Sequence, residues 1–194
     1  MRKIILASNS KVRKKILDEN GIECKVFPSN TDEQSIKESG IKENLSPELI
    51  SKNLAELKAN KISLKFSNEI VIGADSVIDI NGELISKPKN RKEALEILKK
   101  LNGKTHYLIS SVCISKNGSM IWNYTDKAAL KMKNMTEKQL EEYLSKITDE
   151  ALYAYNVYQI EGEGRSLFLE IDGDEDTIMG LPVKKIKDYL RNFK

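Results

Sequence analysis

The segment 69–80, with the sequence EIVIGADSVIDI, is the feature of this chain that most constrains its fold. Residues 70–72 form a continuous apolar run, which is typical of a strand buried on both faces of a sheet. The run then leads into one acid, Asp75, before the apolar pattern resumes. An isolated carboxylate removed from water needs a cation, a metal or several hydrogen-bond donors, or it binds a proton. Asp75 and Ser76 could also form an ordinary bend, so the segment alone leaves a structural and a functional interpretation open.

Length and composition predict one soluble domain. The chain has 194 residues, of which 40% are hydrophobic and 31% charged, and this suits one core, or one core split into two lobes around a groove. No apolar run is long enough to cross a bilayer and no signal peptide is recognisable, so we expect a cytoplasmic protein without a membrane partner. The net charge of +3 is spread along the chain, which argues against a nucleic-acid partner.

The cysteines and the single histidine exclude several kinds of site. Cys24 and Cys113 lie in apolar, strand-like surroundings without metal-ligand spacing, and we expect them to be buried thiols. His106 is the only histidine, which excludes a histidine-based triad and a multi-histidine metal site. We expect His106 to be structural.

A strand, a hydroxyl-rich turn and a helix follow one another at the start of the sequence. The sequence KIILA at residues 3–7 predicts a strand, and Ser10 is a natural N-cap for the helix that follows. The N–H groups at a helix start favour an anion, and the hydroxyls of Ser8 and Ser10 add donors. Arg13, one turn into the helix, can form two hydrogen bonds with a phosphate. An ordinary capped helix with solvated basic residues is the alternative.

Two adjacent acids, Asp32 and Glu33, occupy a polar stretch that we expect to be a loop. Such acids are usually solvated. If the loop folds over the groove beside Asp75, two carboxylates together form a hard oxygen site for Mg²⁺ or Mn²⁺.

Two lysines likewise have a functional role only if the fold places them at the groove. Lys58 lies on or beside the apolar face of a helix that begins at Pro47 and whose inward residues are predicted to be Ile50, Leu54, Leu57 and Ile62. Lys87 precedes Pro88, which fixes the backbone and would hold the ammonium at the mouth of a cleft. Solvated lysines are the alternative for both.

The second half of the sequence predicts a long hairpin followed by helices and loops. Residues 106–116 and 119–132 form two strand patterns joined at an Asn-Gly turn. A loop is predicted for residues 153–164, followed by a strand from residue 166. Three tyrosines of this loop offer flat faces on which a base could stack, namely Tyr153, Tyr155 and Tyr158.

Six short motifs in order along the chain resemble the Maf family of nucleoside triphosphate pyrophosphatases. They are LASNS at residues 6–10 with Arg13, DE at 32–33, GADS at 73–76, SKP at 86–88, LNGKTH at 101–106 and MGLP at 179–182. The resemblance covers residues 1–194 as a single domain. It implies an elongated α/β fold like that of the inosine triphosphate pyrophosphatases, with a mixed, twisted sheet and flanking helices in two lobes around a deep groove. It also implies a divalent metal cofactor, a cytoplasmic location and a homodimer.

The activity implied by the resemblance is hydrolysis of a nucleoside triphosphate to a monophosphate and pyrophosphate, which would prevent incorporation of non-standard nucleotides. Asp75 matches the family's catalytic acid, and Glu33 and Asp75 would hold Mg²⁺ or Mn²⁺. The substrate phosphates would be surrounded by five residues, Ser8, Ser10, Arg13, Lys58 and Lys87. A nucleotide-sensing binding protein in cell-division control is an alternative.

The resemblance also implies that Val12, Ser76 and Glu161 select the base of the substrate nucleotide. The family branch that acts on dTTP and UTP has an arginine where this chain has Val12 and a glutamine where it has Glu161. A glutamate accepts hydrogen bonds from the N1–H and 2-amino group of guanine and attracts the positive charge of a 7-methylated base. We therefore expect 7-methyl-GTP or another modified purine as substrate. Ser76, however, looks closer to the dTTP and UTP branch, so dTTP or UTP is the alternative substrate. A local shift of the alignment would also make Gln159, in place of Glu161, the residue that reads the base.

Overall fold

The computed structural model describes residues 3–193, without the side chains of residues 153–155. The strands are β1 (Ile4–Leu6), β2 (Cys24–Val26), β3 (Ile70–Ile80), β4 (Glu83–Ile85), β5 (Thr105–Lys116), β6 (Ser119–Met132) and β7 (Phe168–Asp172). They form one mixed sheet in the order β2-β1-β3-β5-β6-β7, and β4 also pairs with β3.

The helices flank this sheet. They are α1 (Lys11–Glu19), α2 (Glu33–Lys42), α3 (Pro47–Ser63), α4 (Arg91–Leu101), α5 (Glu137–Lys146), α6 (Asp149–Tyr155), α7 (Glu175–Ile178) and α8 (Val183–Asn192), with a 3₁₀ helix at Glu163–Leu167. The predicted α/β class, with a mixed sheet and flanking helices, is confirmed. No helix within residues 3–193 has the length and apolar character needed to span a membrane.

The central strand β3 has one edge that is interrupted. β5 pairs antiparallel with residues 71–79 and so occupies one edge of β3. The other edge is shared by β1, which runs parallel to residues 70–72, and β4, which runs antiparallel to residues 78–80. Residues 73–77 therefore have no strand neighbour on that side within the described chain.

Helix α3 lies directly against β3 because small residues meet at the contact. A Cβ atom at Gly73 would lie 2.3 Å from the carbonyl oxygen of Ala55 and 2.6 Å from the backbone nitrogen of Ala59. Both alanines are buried. The close approach brings Lys58, which is also buried, to the strand that carries Asp75.

The apolar core has two main clusters along the sheet. One includes Leu98 of α4, Leu130 of β6 and Leu167. The other joins Leu17 of α1 and Ile186 of α8 to the first part of β3. The organisation of residues 1–194 as one domain stays a prediction.

Two helices occupy stretches for which the sequence predicted loops, and those predictions are wrong. Asp32 accepts a hydrogen bond from the backbone N–H of Ser35 at 3.1 Å and caps α2, so Glu33 lies in the first helical turn. Apolar residues are few in α2, which weakens the periodic signal of a helix. The short α6 extends through residues 153–155, and the side chains of the predicted stacking residues Tyr153 and Tyr155 lie outside the described residues.

Two smaller predictions are also wrong. Leu57 is 43% exposed, whereas the other predicted inward residues of α3 are buried. The strand predicted from residue 166 begins at Phe168, because the preceding residues form the 3₁₀ helix.

We expect Gly73→Ala to lower the free energy of unfolding by about 2 kcal/mol or more, since overpacking a close contact costs about 1–3 kcal/mol. Urea unfolding would measure the change. Gly162→Ala is the matched control, because a Cβ there would meet no atom closer than 3.9 Å. A Gly73→Ala protein as stable as this control would contradict the close packing of α3 on β3.

Candidate active site

A groove of about 660 Å³ contains the central part of β3, on which Asp75 lies. The turn before α1, the start of α2, Lys58 of α3 and the loop after α6 also line it. It brings together the ten residues to which the resemblance gives a role in catalysis or binding: Ser8, Ser10, Val12, Arg13, Glu33, Lys58, Asp75, Ser76, Lys87 and Glu161. The chemical role of each residue stays a prediction.

Asp75 is the buried acid of the groove, with only 2% of its surface exposed. Its Oδ1 accepts a hydrogen bond from Nζ of Lys58 at 2.8 Å. Its Oδ2 is buried and has no hydrogen-bond partner among the described residues. The carboxylate therefore has a compensating cation, as its burial requires, and one oxygen remains unpartnered.

Lys58 joins two acids that come from different elements. Its Nζ lies 2.7 Å from Oε1 of Glu33 and 2.8 Å from Oδ1 of Asp75, and it donates to the carbonyl oxygen of Ala74 at 3.3 Å. These contacts account for the three N–H bonds of an ammonium. Burial acts to raise the pKa of Glu33, but the charge and hydrogen bond of Lys58 hold that pKa below its usual value. Glu33 is therefore ionised at neutral pH.

The same two acids are the predicted metal ligands. Oxygens of Glu33 and Asp75 lie within hydrogen-bond distance of one ammonium, so they are close to each other, and Oδ2 of Asp75 is a further hard oxygen donor. Across the described residues there is no group of three or more His, Cys, Asp or Glu side chains that could hold a metal ion. Mg²⁺ usually takes one or two carboxylates and completes its shell with water and substrate phosphates. The donor set therefore fits a metal that binds together with a nucleotide.

Arg13 connects separate parts of the groove wall. Its Nε donates to the carbonyl oxygen of Gly180 at 2.9 Å. Its terminal nitrogens donate to Oγ of Ser8 at 3.2 Å, to the carbonyl oxygen of Ala74 at 3.0 Å and to Oγ of Ser76 at 3.0 Å. Four of the five N–H bonds of the guanidinium are thereby used within the protein. Arg13 holds the groove walls together in this structure, and its contact with phosphate stays a prediction.

The turn before α1 has the predicted cap. The Oγ atom of Ser10 accepts a hydrogen bond from the backbone N–H of Arg13 at 3.3 Å, which confirms Ser10 as the N-cap. The Oγ atom of Ser8 accepts from the backbone N–H of Ser10, also at 3.3 Å. The start of α1, which suits an anion, thus faces the groove with both serines.

Two further lysines line the groove. Burial acts to lower the pKa of Lys87, Glu33 opposes this, and Lys37 adds to it, so that the pKa lies below its usual value. Lys37, which the sequence did not single out, lies one turn after Glu33 on α2, and its side chain is 12% exposed. The spacing of four residues from Glu33 was the available signal, but it is informative only once this stretch is known to be helical.

The loop after α6 forms another wall of the groove. Glu161 is exposed on this loop, and Gln159 also lines the groove. Beneath the loop, the hydroxyl of the buried Tyr158 lies 2.9 Å from Nε2 of His106. Burial lowers the pKa of His106 to about 4, so the ring is neutral at pH 7, which supports the predicted structural role. Asn156 begins the loop with φ 70° and ψ −144°, a conformation typical of glycine.

The other two predicted base-reading residues lie in the wall near α1. Val12 is half-buried and packs against the cluster that contains Leu17. The Oγ atom of Ser76 lies 2.9 Å from Oγ of Ser110 and accepts the hydrogen bond from Arg13 described above. Ser76 therefore belongs to the network that holds the wall together.

Several known proteins are similar to this chain over nearly all of its length. The model of the Maf family, described as "Maf-like protein", matches residues 3–193. A nucleoside triphosphate pyrophosphatase of Pelagibacter ubique (strain HTCC1062) is 72% identical over 194 residues, which is 100% of both chains. A 7-methyl-GTP pyrophosphatase of Rhizobium etli is 33% identical over 98% of this chain and 96% of its own. The solved Ham1 protein of Staphylococcus aureus is 13% identical, covers 100% of both chains and superposes with a TM-score of 0.47. The family match and the full-length relative show that this chain belongs to the Maf family.

Proposed function

We propose that the protein hydrolyses a nucleoside triphosphate between the α and β phosphates, giving a nucleoside monophosphate and pyrophosphate. The observation that carries this proposal is the buried carboxylate of Asp75, of which Lys58 holds one oxygen while the other has no partner among the described residues. Arg13 and Lys87 bring further positive charge to the same groove. The name of the Pelagibacter ubique relative supports this activity.

In this mechanism Asp75 is the general base. Its Oδ2 takes a proton from water as the water oxygen attacks the α-phosphorus, and the bond from that phosphorus to the bridging oxygen breaks as pyrophosphate leaves. Lys58 fixes the carboxylate through Oδ1 and leaves Oδ2 for the water. Mg²⁺ or Mn²⁺ bound by Glu33 and Asp75 would offset negative charge on the phosphate oxygens.

The remaining groups bind the triphosphate. Ser8, Ser10 and Lys87 contact its oxygens, while Arg13 and Lys58 supply positive charge from the groove wall. The homodimer and the cytoplasmic location that the resemblance implies belong to the same proposal.

For the substrate we favour 7-methyl-GTP or another modified purine over dTTP and UTP. The carboxylate of Glu161 lies on the loop after α6, at the groove. It can accept hydrogen bonds from the donor edge of guanine, and its negative charge attracts a positively charged base. The name of the Rhizobium etli relative supports this choice. Hydrolysis of such nucleotides would keep them out of nucleic acids.

A nucleotide panel tests the reaction itself. We expect 7-methyl-GTP, tested beside GTP, dTTP and UTP with Mg²⁺ or Mn²⁺, to yield pyrophosphate and monophosphate without orthophosphate, and EDTA to abolish the release. Separate detection of pyrophosphate and orthophosphate measures this. Orthophosphate as the product, or no turnover of any nucleotide, would overturn the proposed reaction. Faster turnover of dTTP would overturn only the choice of base.

We expect Asp75→Asn to lower kcat by at least about 10²–10⁴-fold, because the amide cannot accept the proton from water. Steady-state kinetics would measure the loss, and circular dichroism would confirm folding. Asp79→Asn is the matched control on the same strand, because Asp79 lies outside the groove. The Oδ1 atom of Asp79 accepts a hydrogen bond from the backbone N–H of Gly82. The amide oxygen of asparagine can accept the same bond. Asp75→Asn activity within tenfold of the wild type would remove Asp75 from the mechanism.

Glu161→Gln tests the reading of the base. We expect the ratio of kcat/KM for 7-methyl-GTP to that for dTTP to fall about tenfold or more, because a good base contact is worth about 1–3 kcal/mol of discrimination. Glu163→Gln removes the same charge two residues away, outside the groove, and should leave the ratio unchanged. Equal ratios in the two variants would show that Glu161 does not read the base.

A further inference from the structure

Two basic side chains of the groove are already committed to the protein. Arg13 uses four of its N–H bonds on protein acceptors. The ammonium of Lys58 is satisfied by Glu33, Asp75 and a carbonyl oxygen. Neither can bind a triphosphate through these donors without first giving up contacts within the protein.

Lys37 differs from Arg13 and Lys58 because its ammonium has few contacts with the described residues. Its side chain is only 12% exposed, and its Nζ lies 4.0 Å from Oε2 of Glu33, which is an ion pair beyond hydrogen-bond distance. Within residues 3–193 this ammonium has no other ion pair and no hydrogen bond. A lysine at the wall of the groove whose ammonium has unused donors favours the arrival of an anion.

The position of Lys37 suits the far end of a triphosphate. Charges alternate along a chain of ion pairs from Lys37 to Glu33, Lys58 and Asp75, so two side chains separate Lys37 from the general base in this chain. Lys37 and Lys87 both line the groove. When the α-phosphorus lies at Asp75, the departing phosphates need positive charge away from the base, and Lys37 offers it.

We propose that Lys37 is a substrate-binding residue that holds the leaving pyrophosphate part of the nucleotide. This rests on the proposed function, because pyrophosphate is the leaving group only in that reaction. Lys37 contributes hydrogen bonds to the β- or γ-phosphate oxygens and takes no part in proton transfer.

The test uses the whole protein and inorganic pyrophosphate with Mg²⁺ as the probe. We expect Lys37→Gln to raise the dissociation constant for pyrophosphate, measured by calorimetry, about tenfold or more, as loss of a charge-assisted hydrogen bond implies. The affinity for GMP should stay unchanged, because the monophosphate lacks the two leaving phosphates. Lys37→Arg should restore most of the pyrophosphate affinity.

Lys42→Gln is the matched control. Lys42 lies in the last turn of the same helix, is exposed and does not line the groove, so its loss changes the net charge equally and should not change pyrophosphate affinity. If Lys37 only supported α2 through its pair with Glu33, the variant would bind both ligands as the wild type does. That result would overturn the proposal.

The outcomes separate this inference from the proposed function. If the wild type releases pyrophosphate from a nucleotide and Lys37→Gln binds pyrophosphate equally well, only the role of Lys37 fails. If the wild type releases none but binds pyrophosphate in a Lys37-dependent way, the anion site stands and the proposed reaction fails. A wild type that does not bind pyrophosphate would overturn the role of Lys37.

Discussion

The ion pairs of Lys58 with Glu33 and Asp75 are the interaction on which the rest of this structure depends. An uncompensated buried carboxylate is strongly destabilising, because removing one partner of a buried pair costs about 3–5 kcal/mol. The chain must therefore bring α3 close enough to β3 for Lys58 to reach Asp75, and the space left at Gly73 permits that approach. Capping by Asp32 then presents Glu33 from α2 to the same ammonium. The contact of α3 with β3 therefore provides both close packing and the cation that compensates the buried carboxylate.

The sequence predicted the parts of the fold whose signals are local. The apolar pattern of β3 and the cap at Ser10 each depend on neighbouring residues, and each is present. Helix α2 was missed because its stability comes from its cap and from contacts with α3, and its own apolar pattern is weak. Glu33 was nevertheless placed in the groove, because the family resemblance fixed its position without reference to the element that carries it.

The hydrogen-bond and ion-pair partners of each site residue could not be predicted from local sequence signals. Arg13 was expected to face a phosphate, yet its partners include Gly180, which is 167 residues away in sequence. Nothing in the local pattern around Arg13 specifies such a partner. Lys37 illustrates the converse, since its sequence surroundings are those of a solvated lysine, and only the fold gives it a largely buried position beside Glu33.

The interrupted edge of β3 affects what substitutions in the groove would do. Between β1 and β4, the carbonyl oxygen of Ala74 is satisfied by the side chains of Arg13 and Lys58, and no neighbouring strand takes part. On this edge, hydrogen bonds from these two side chains take the place of strand pairing at Ala74, while β5 provides a continuous ladder on the other edge. Substitution of Arg13 or Lys58 would therefore remove a hydrogen bond from the backbone of β3 as well as a positive charge from the groove.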